Sequence, residues 1–279
     1  MDFIKTFADI LKAMLYRLLR SRMTLVFILI LVISIMCGIA ALKAIGANTA
    51  LSADMSATSS DITLGLSVLA ADASGVDFAR ACGMLFVRGS FIAMMMAVFC
   101  GVFFASDLRS GTVKNVIIGC TGRTTYVLAA GVCTLMITAF AVLVGVMISL
   151  AALIISGFAV AVSDPAQFVG WLGEVWLSVA AYAVLAVVVA LMSKNMVLAA
   201  VVGFLLGGAA VENLLYSVIG LITGHPSEVR AIFDGYLAVT VSQLGYGNVL
   251  PADVLLPVLV TIAVAIAVGM LVVRRRSLA

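Results

Sequence analysis

Apolar residues fall into six long runs separated by short polar breaks. Residues 24-42, 82-105, 125-148, 171-192, 196-222 and 254-273 are built mainly from Ala, Val, Leu, Ile, Met, Phe and Gly. Each supplies about the twenty residues that a helix needs to cross a ~30 Å hydrocarbon core. The third run continues to Phe158. As one straight helix, 125-158 would measure about 51 Å, yet it is too short for two crossings and a turn. Charge decides the parity. Arg123 belongs with a basic side, and Asp164 and Glu174 with an acidic one. The crossing number is therefore odd, and the run reads as one span whose tail tilts or breaks near Gly157. The first run, at 24-42, exceeds the apolar core of a cleaved signal peptide, about 7–15 residues, and reads as a retained helix.

Ahead of the first run the pattern changes period. In residues 2-22, Phe3, Phe7, Ile10, Leu11, Met14, Leu15 and Leu18 make one helical stripe, with Lys5, Asp9, Lys12, Arg17 and Arg20 mostly elsewhere. A basic amphipathic helix of this kind lies in the headgroup plane. Two mixed stretches, 43-81 and 223-252, separate spans one from two and five from six. The second breaks at Gly224-His225-Pro226, and its apolar residues from Ile232 to Val241 suit a segment dipping into a leaflet. Ser193-Lys194-Asn195 makes a tight turn between spans four and five. Trp171 and Trp176 read as interface anchors, and Arg88 as a snorkelling side chain. Asp253 suits an N-cap, with Pro257 in the first turn that follows.

Composition agrees with this pattern. Hydrophobic residues make up 65% of the 279 residues and charged residues 10%, with mean hydropathy +1.29. Soluble domains carry about 25% charged residues. The net charge of +3 conceals a strong asymmetry. With the N-terminus inside and six crossings, twelve Lys and Arg fall inside and four outside, which the positive-inside rule reads as cytoplasmic N- and C-termini. The expected fold is thus all-α: one polytopic membrane domain over 1-279, with six transmembrane helices and the N-terminal interfacial helix. A bacterial cytoplasmic membrane is the expected location.

Between spans two and three lies the most charged internal stretch, 107-123, DLRSGTVKNVIIGCTGR. Glycines break it at both ends, and TVKNVIIG can form about two helical turns, with Val113, Val116 and Ile117 on one side and Lys114 on another. That describes a short amphipathic helix at the cytoplasmic surface. An acidic residue, then G-T-V-K-N, an apolar pair, a glycine and a late Arg-x-x-Tyr resembles the first cytoplasmic loop of ABC-2-type transporter permeases. The matching residues are Asp107, Gly111, Thr112, Val113, Lys114, Asn115, Gly119, Arg123 and Tyr126; Arg109 and Val116 lie within the same loop. The motif covers about twenty residues, and its place after a second span strengthens it. The leading amphipathic helix and a short outer helix before the last span extend the likeness.

The resemblance implies a membrane-spanning permease subunit with a coupling helix docked on a separate ABC ATPase subunit. ATP and Mg would be bound by that partner and no cofactor by this chain. A second permease copy, or a sister permease, would complete the path. Cargo would be hydrophobic or amphipathic: a peptide antibiotic, a drug or a lipid-like molecule. A rival reading, an ion-gradient-driven secondary transporter, rests on Glu212, a carboxylate plausibly within lipid depth. It becomes merely interfacial if the fifth helix stops near Ala210. A non-transporting sensor or assembly factor has little surface outside the membrane to work with. Ala199, Gly203 and Gly207 form a small-residue face for close helix packing.

Other chemistry is not encoded here. No G-x-x-x-x-G-K-[ST] phosphate loop, no H-E-x-x-H and no paired carboxylates on one span occur, and His225 is the only histidine. Cys37, Cys82, Cys100, Cys120 and Cys133 lack C-x-x-C spacing, so no metal site is read from them. Met94-Met95-Met96 reads as packing. Basic residues flank the spans, where topology explains them without nucleic acid, and the chain is expected not to be an enzyme.

Overall fold

The computed structural model describes residues 2–47, 76–110, 123–158, 160–161, 164–208, 210–223 and 236–275. It is almost wholly helical. Helix α1 (Asp2–Leu19) is followed by α2 (Arg22–Ala47), α3 (Phe78–Cys82), α4 (Phe91–Arg109), α5 (Arg123–Ile155), α6 (Pro165–Ser193), α7 (Met196–Gly207), α8 (Ala210–Thr223), α9 (Leu237–Leu244) and α10 (Ala252–Arg275). Among the described residues, five helical stretches are long and apolar enough to cross a membrane.

Helix α6 is the axis of the bundle. Its apolar residues run all round it, and its middle is buried from Ser178 through Val184, as befits a helix enclosed on every side. Helix α4 packs along it most extensively, and α5, α7 and α10 take the remaining faces. Asp164 starts α6: its carboxylate accepts the Ala166 and Gln167 N–H groups, with Pro165 in the first turn. This Asp-Pro start puts the helix six residues ahead of the expected Trp171, because capping rather than hydropathy sets the helix end. Lys194, at φ 51°, closes the other end, and Asn195 caps α7 by accepting the Val197 N–H.

Helix α1 is more than a surface float. Ile10, Met14 and Leu18 are buried, with Phe7, Leu11 and Leu15 packed beside them, and the helix leans on α5. Much of its apolar stripe is therefore spent on protein contact. Ser21 accepts the Thr24 N–H at 3.3 Å, and the Thr24 hydroxyl donates to the Leu18 carbonyl, fixing the short turn into α2.

Hydropathy and structure differ at several breaks. The run 82-105 lies within a longer element that starts at Phe78, passes through one π-helical turn (Gly83–Val87) and kinks at Gly89 (φ 72°) and Ser90 (φ 57°). Two successive left-handed residues redirect the chain between α3 and α4. Helix α5 continues to Ile155, past residue 148, because SLAALII contains nothing that stops a helix. The chain turns only at Gly157 (φ 80°). The run 196-222 is divided between α7 and α8, with α7 ending at Gly207. At 12 residues, α7 is about 18 Å long, short of a full crossing. Pro257 is the sixth residue of α10, two residues deeper than expected, because the helix starts at Ala252. Two-residue strands β1 (Val76–Asp77) and β2 (Val160–Ala161) pair in parallel, a contact with no hydropathy signal.

Candidate functional site

Three helices meet on Asp107. It lies in the last turns of α4 and is 8% exposed, as is normal only for a paired carboxylate. Arg17, from α1, reaches it with both terminal nitrogens, at 2.5 Å to Oδ1 and 3.3 Å to Oδ2. Tyr126, in the first turn of α5 and 1% exposed, donates its hydroxyl to Oδ2 at 3.3 Å. The two-pronged arginine contact fixes direction as well as distance. Arg17 is held in turn by its Nε, which donates to the Ala13 carbonyl at 3.4 Å. The Ser110 hydroxyl donates to the Asp107 carbonyl at 2.9 Å where α4 ends.

Sequence spacing explains the convergence. Asp107 is buried because α4 turns that face toward α5, while Arg109 and Ser110 are exposed. Asp107 lies four residues before Gly111 and Tyr126 four after Gly122, so the pair brackets the segment 111–122. Of the coupling-loop residues, Gly111, Thr112, Val113, Lys114, Asn115, Val116 and Gly119 lie outside the described residues. Arg123 opens α5, and its side chain is likewise outside them. The Asp107 carboxylate is taken up by Arg17 and Tyr126 within the bundle. Arg17 was placed only on the polar side of α1, and a partner ninety residues away leaves no signal in one sequence.

A cavity of about 280 Å³ opens beside this joint. Its lining includes Arg17, Ser21, Met23, Phe103, Asp107 and Ser110.

No protein-family model matches this chain, and no curated protein matches it in sequence. Among the described residues, no group of three His, Cys, Asp or Glu side chains could hold a metal ion.

The other predicted positions are dispersed. Ala199, Gly203 and Gly207 are buried on the α7 face that meets α4. Glu212 is the third residue of α8, beyond the break at Gly208, and its side chain lies outside the described residues.

A second polar cluster closes the opposite end of the bundle. Trp171 is fully buried, not an interface anchor; its indole N–H donates to the Leu244 carbonyl at 2.8 Å. Trp176 donates to the Leu135 carbonyl at 2.9 Å. The Arg88 guanidinium stacks 4.7 Å from the Tyr246 ring centre and donates to its hydroxyl at 3.2 Å. Glu174, 6% exposed, accepts the Leu250 N–H at 2.9 Å. Buried carboxylates are rare without a partner, and here the partner is the main chain of the segment after α9. Glu174→Ala is expected to leave that N–H unsatisfied, at a cost of about 1–3 kcal/mol. Faster hydrogen exchange confined to residues 245–251 would register it, and unchanged exchange there would refute the tether.

Proposed function

We propose that this chain is the membrane-spanning subunit of an ABC-2-type exporter. It moves a hydrophobic or amphipathic cargo with energy from ATP hydrolysed by a separate partner subunit. Two permease copies, or this chain with a sister permease, enclose the path. The observation that carries this reading is the joint just described. A segment with the coupling-loop pattern is bracketed by Asp107 and Tyr126, which bond to each other, and Asp107 is in turn paired with Arg17 on the N-terminal helix. A push on residues 111–122 therefore reaches α4 and α5 directly, and α1 through the ion pair. Five apolar helices of crossing length provide the body that such a push would tilt.

In this reading the end of the bundle bearing Asp107 faces the cytoplasm, and α1 lies along the headgroups with its basic side toward water. The Glu174 end faces out. The chain itself performs no bond chemistry. Its work is to convert closure of two ATPase subunits into displacement of helices, and so into alternate exposure of the path between copies.

The docking role is tested on the surface of the loop. Replacing both Lys114 and Val116 with Asp is expected to abolish co-purification of the ATPase at least tenfold, while membrane insertion stays intact. Unchanged ATPase capture with unchanged efflux would defeat the proposal. Efflux that survives ATP depletion but collapses with a proton uncoupler would favour the gradient-driven transporter instead.

A further inference from the structure

We infer that Gly89 and Ser90 form a hinge, about which α4 swings while the helical turns before it stay fixed. Among the described residues, only here do two successive positions take the left-handed conformation, at φ 72° and 57°. Ser90 has a β-carbon, so its conformation is disfavoured by about tenfold, and its side chain makes no capping bond in return. A β-carbon on Gly89 would meet nothing within 4 Å, so the kink has room to change. One π-helical turn, Gly83–Val87, comes directly before it, and such turns are frequent at functional sites. Strain of this kind persists only where the surroundings enforce it, and it clusters in switch regions.

Packing parts into two bodies at this kink. Before it, Leu85 lies against Gly38 of α2 and Phe86 against Gly145 of α5. The main chain there is clamped by the segment after α9. A β-carbon on Gly83 would stand 2.7 Å from the Gly245 carbonyl oxygen, and one on Gly247 2.6 Å from the Arg80 main chain. Arg88 adds its stacking contact with Tyr246. Beyond the kink, α4 belongs with α7, through the backbone approaches at Gly101, Gly203 and Gly207. Helix α4 touches α2 and α5 only lightly, through side chains that can turn, such as Phe99 on Phe27. Its contact with α6 is wide, yet Gly101 meets Ala186 there, small on both sides, as suits the short sliding steps of shear motion. Helix α4 has 19 residues and is about 28 Å long, so about 10° of swing at Ser90 moves the Asp107 end by about 5 Å.

The hinge would serve the proposed coupling, since a push at the Asp107 end arrives at the far end of this lever. Its test uses the full chain alone, without an ATPase, so the two ideas fail separately. Spin labels on Leu25→Cys of α2 and Val197→Cys of α7, both exposed, report the separation of the two bodies by electron–electron double resonance in nanodiscs. Cys37 and Cys120 are replaced by Ala in this background. Wild type is expected to show two separations, one for the kinked form and one for a straightened form. Gly89→Ala meets no neighbouring atom and adds only the backbone penalty, so it should raise the straightened share relative to the kinked one about tenfold. Ser90→Gly removes that penalty and should lower the same ratio about tenfold. Gly173→Ala, whose added carbon is equally free of neighbours, should leave it unchanged. One separation common to wild type and both hinge variants, or a shift of both variants in the same direction, overturns the hinge. Ser90→Gly lightens the strain, so it decides the question even where Gly89→Ala fails to fold. Unmoved labels would leave docking through Lys114 untouched, and a failed docking test would leave the hinge standing.

Discussion

Asp107→Ala is expected to destabilise the folded protein by about 2–3 kcal/mol and to cut efflux by more than tenfold. The stability loss is dominated by the buried side of the joint. Tyr126 would lose the one acceptor its hydroxyl has among the described residues, and an unsatisfied buried donor costs about 1–3 kcal/mol. Arg17 contributes less, because its side chain is 34% exposed and can turn to water, where half-exposed pairs are worth little. The single variants should therefore differ. Arg17→Ala should cost about 1 kcal/mol in thermal unfolding of the solubilised protein, yet should still lower efflux about tenfold, because α1 then no longer follows α4. Asp107→Asn keeps an acceptor for Tyr126 and should lie between the two. A double-mutant cycle isolates the pair, and a coupling energy of about 1–2 kcal/mol is expected for residues sharing one network. The charge swap Arg17→Asp with Asp107→Arg should recover part of the efflux. Two results would refute the joint: additive single variants, or an Arg17→Ala variant with wild-type efflux.

The pattern of apolar runs was enough to reveal a helical bundle, because hydrocarbon solvent allows few other solutions for so apolar a chain; it predicts six spans, whereas five helical stretches among the described residues have crossing length. It served poorly wherever a helix end is decided by local hydrogen bonding. Pro165 starts α6 because Asp164 caps it, and that signal was readable in the Asp-Pro pair but is masked by the lower hydropathy of 165-170. The kink at Gly89 and Ser90 left one clue, a lone glycine after an arginine. Ser90 in a left-handed conformation is a consequence of packing that no propensity announces. Tyr126 and Asp107 both belong to the motif, and their contact joins the end of α4 to the start of α5. Arg17 and Glu174 were legible only as charges to be counted. Their partners, a carboxylate ninety residues away and a main-chain N–H seventy-six residues away, depend on tertiary arrangement alone. Trp171 shows the same limit. Its position near a span end suggests an interfacial role, yet the end of α9 receives its indole N–H and Trp171 is core.

Enlarging Gly203 or Gly207 is expected to have the most severe structural effect of any single substitution outside the joint. A side chain on Gly203 would start 2.9 Å from the Ala97 carbonyl oxygen, and one on Gly207 would fall within the Met94 main chain. Both obstacles are backbone, which cannot swing aside as a rotamer can. The approach is reciprocal: Gly101 of α4 lies under the Ala199 carbonyl, with 3.2 Å left for a β-carbon. Helix α7 depends on this fit. It is only 12 residues long, it packs chiefly on α4 and α6, and α8 beyond it touches mainly α7. Gly203→Leu and Gly207→Val should each cost about 3 kcal/mol or more, the upper end for overpacking against an unyielding neighbour. Because α7 would separate from α4, both variants should also release α8 and reduce the yield of monodisperse protein. Gly173→Ala in α6 provides the control. No atom lies within 4 Å of the added carbon, and replacing a helical glycine should stabilise by up to about 1 kcal/mol. Protease protection of the 196–208 segment should fall in the two bulky variants and hold in the control. Wild-type protection and unfolding temperature in Gly203→Leu would mean that α4 and α7 do not approach at backbone contact, and the division of the run 196-222 at Gly208 would then lose its support.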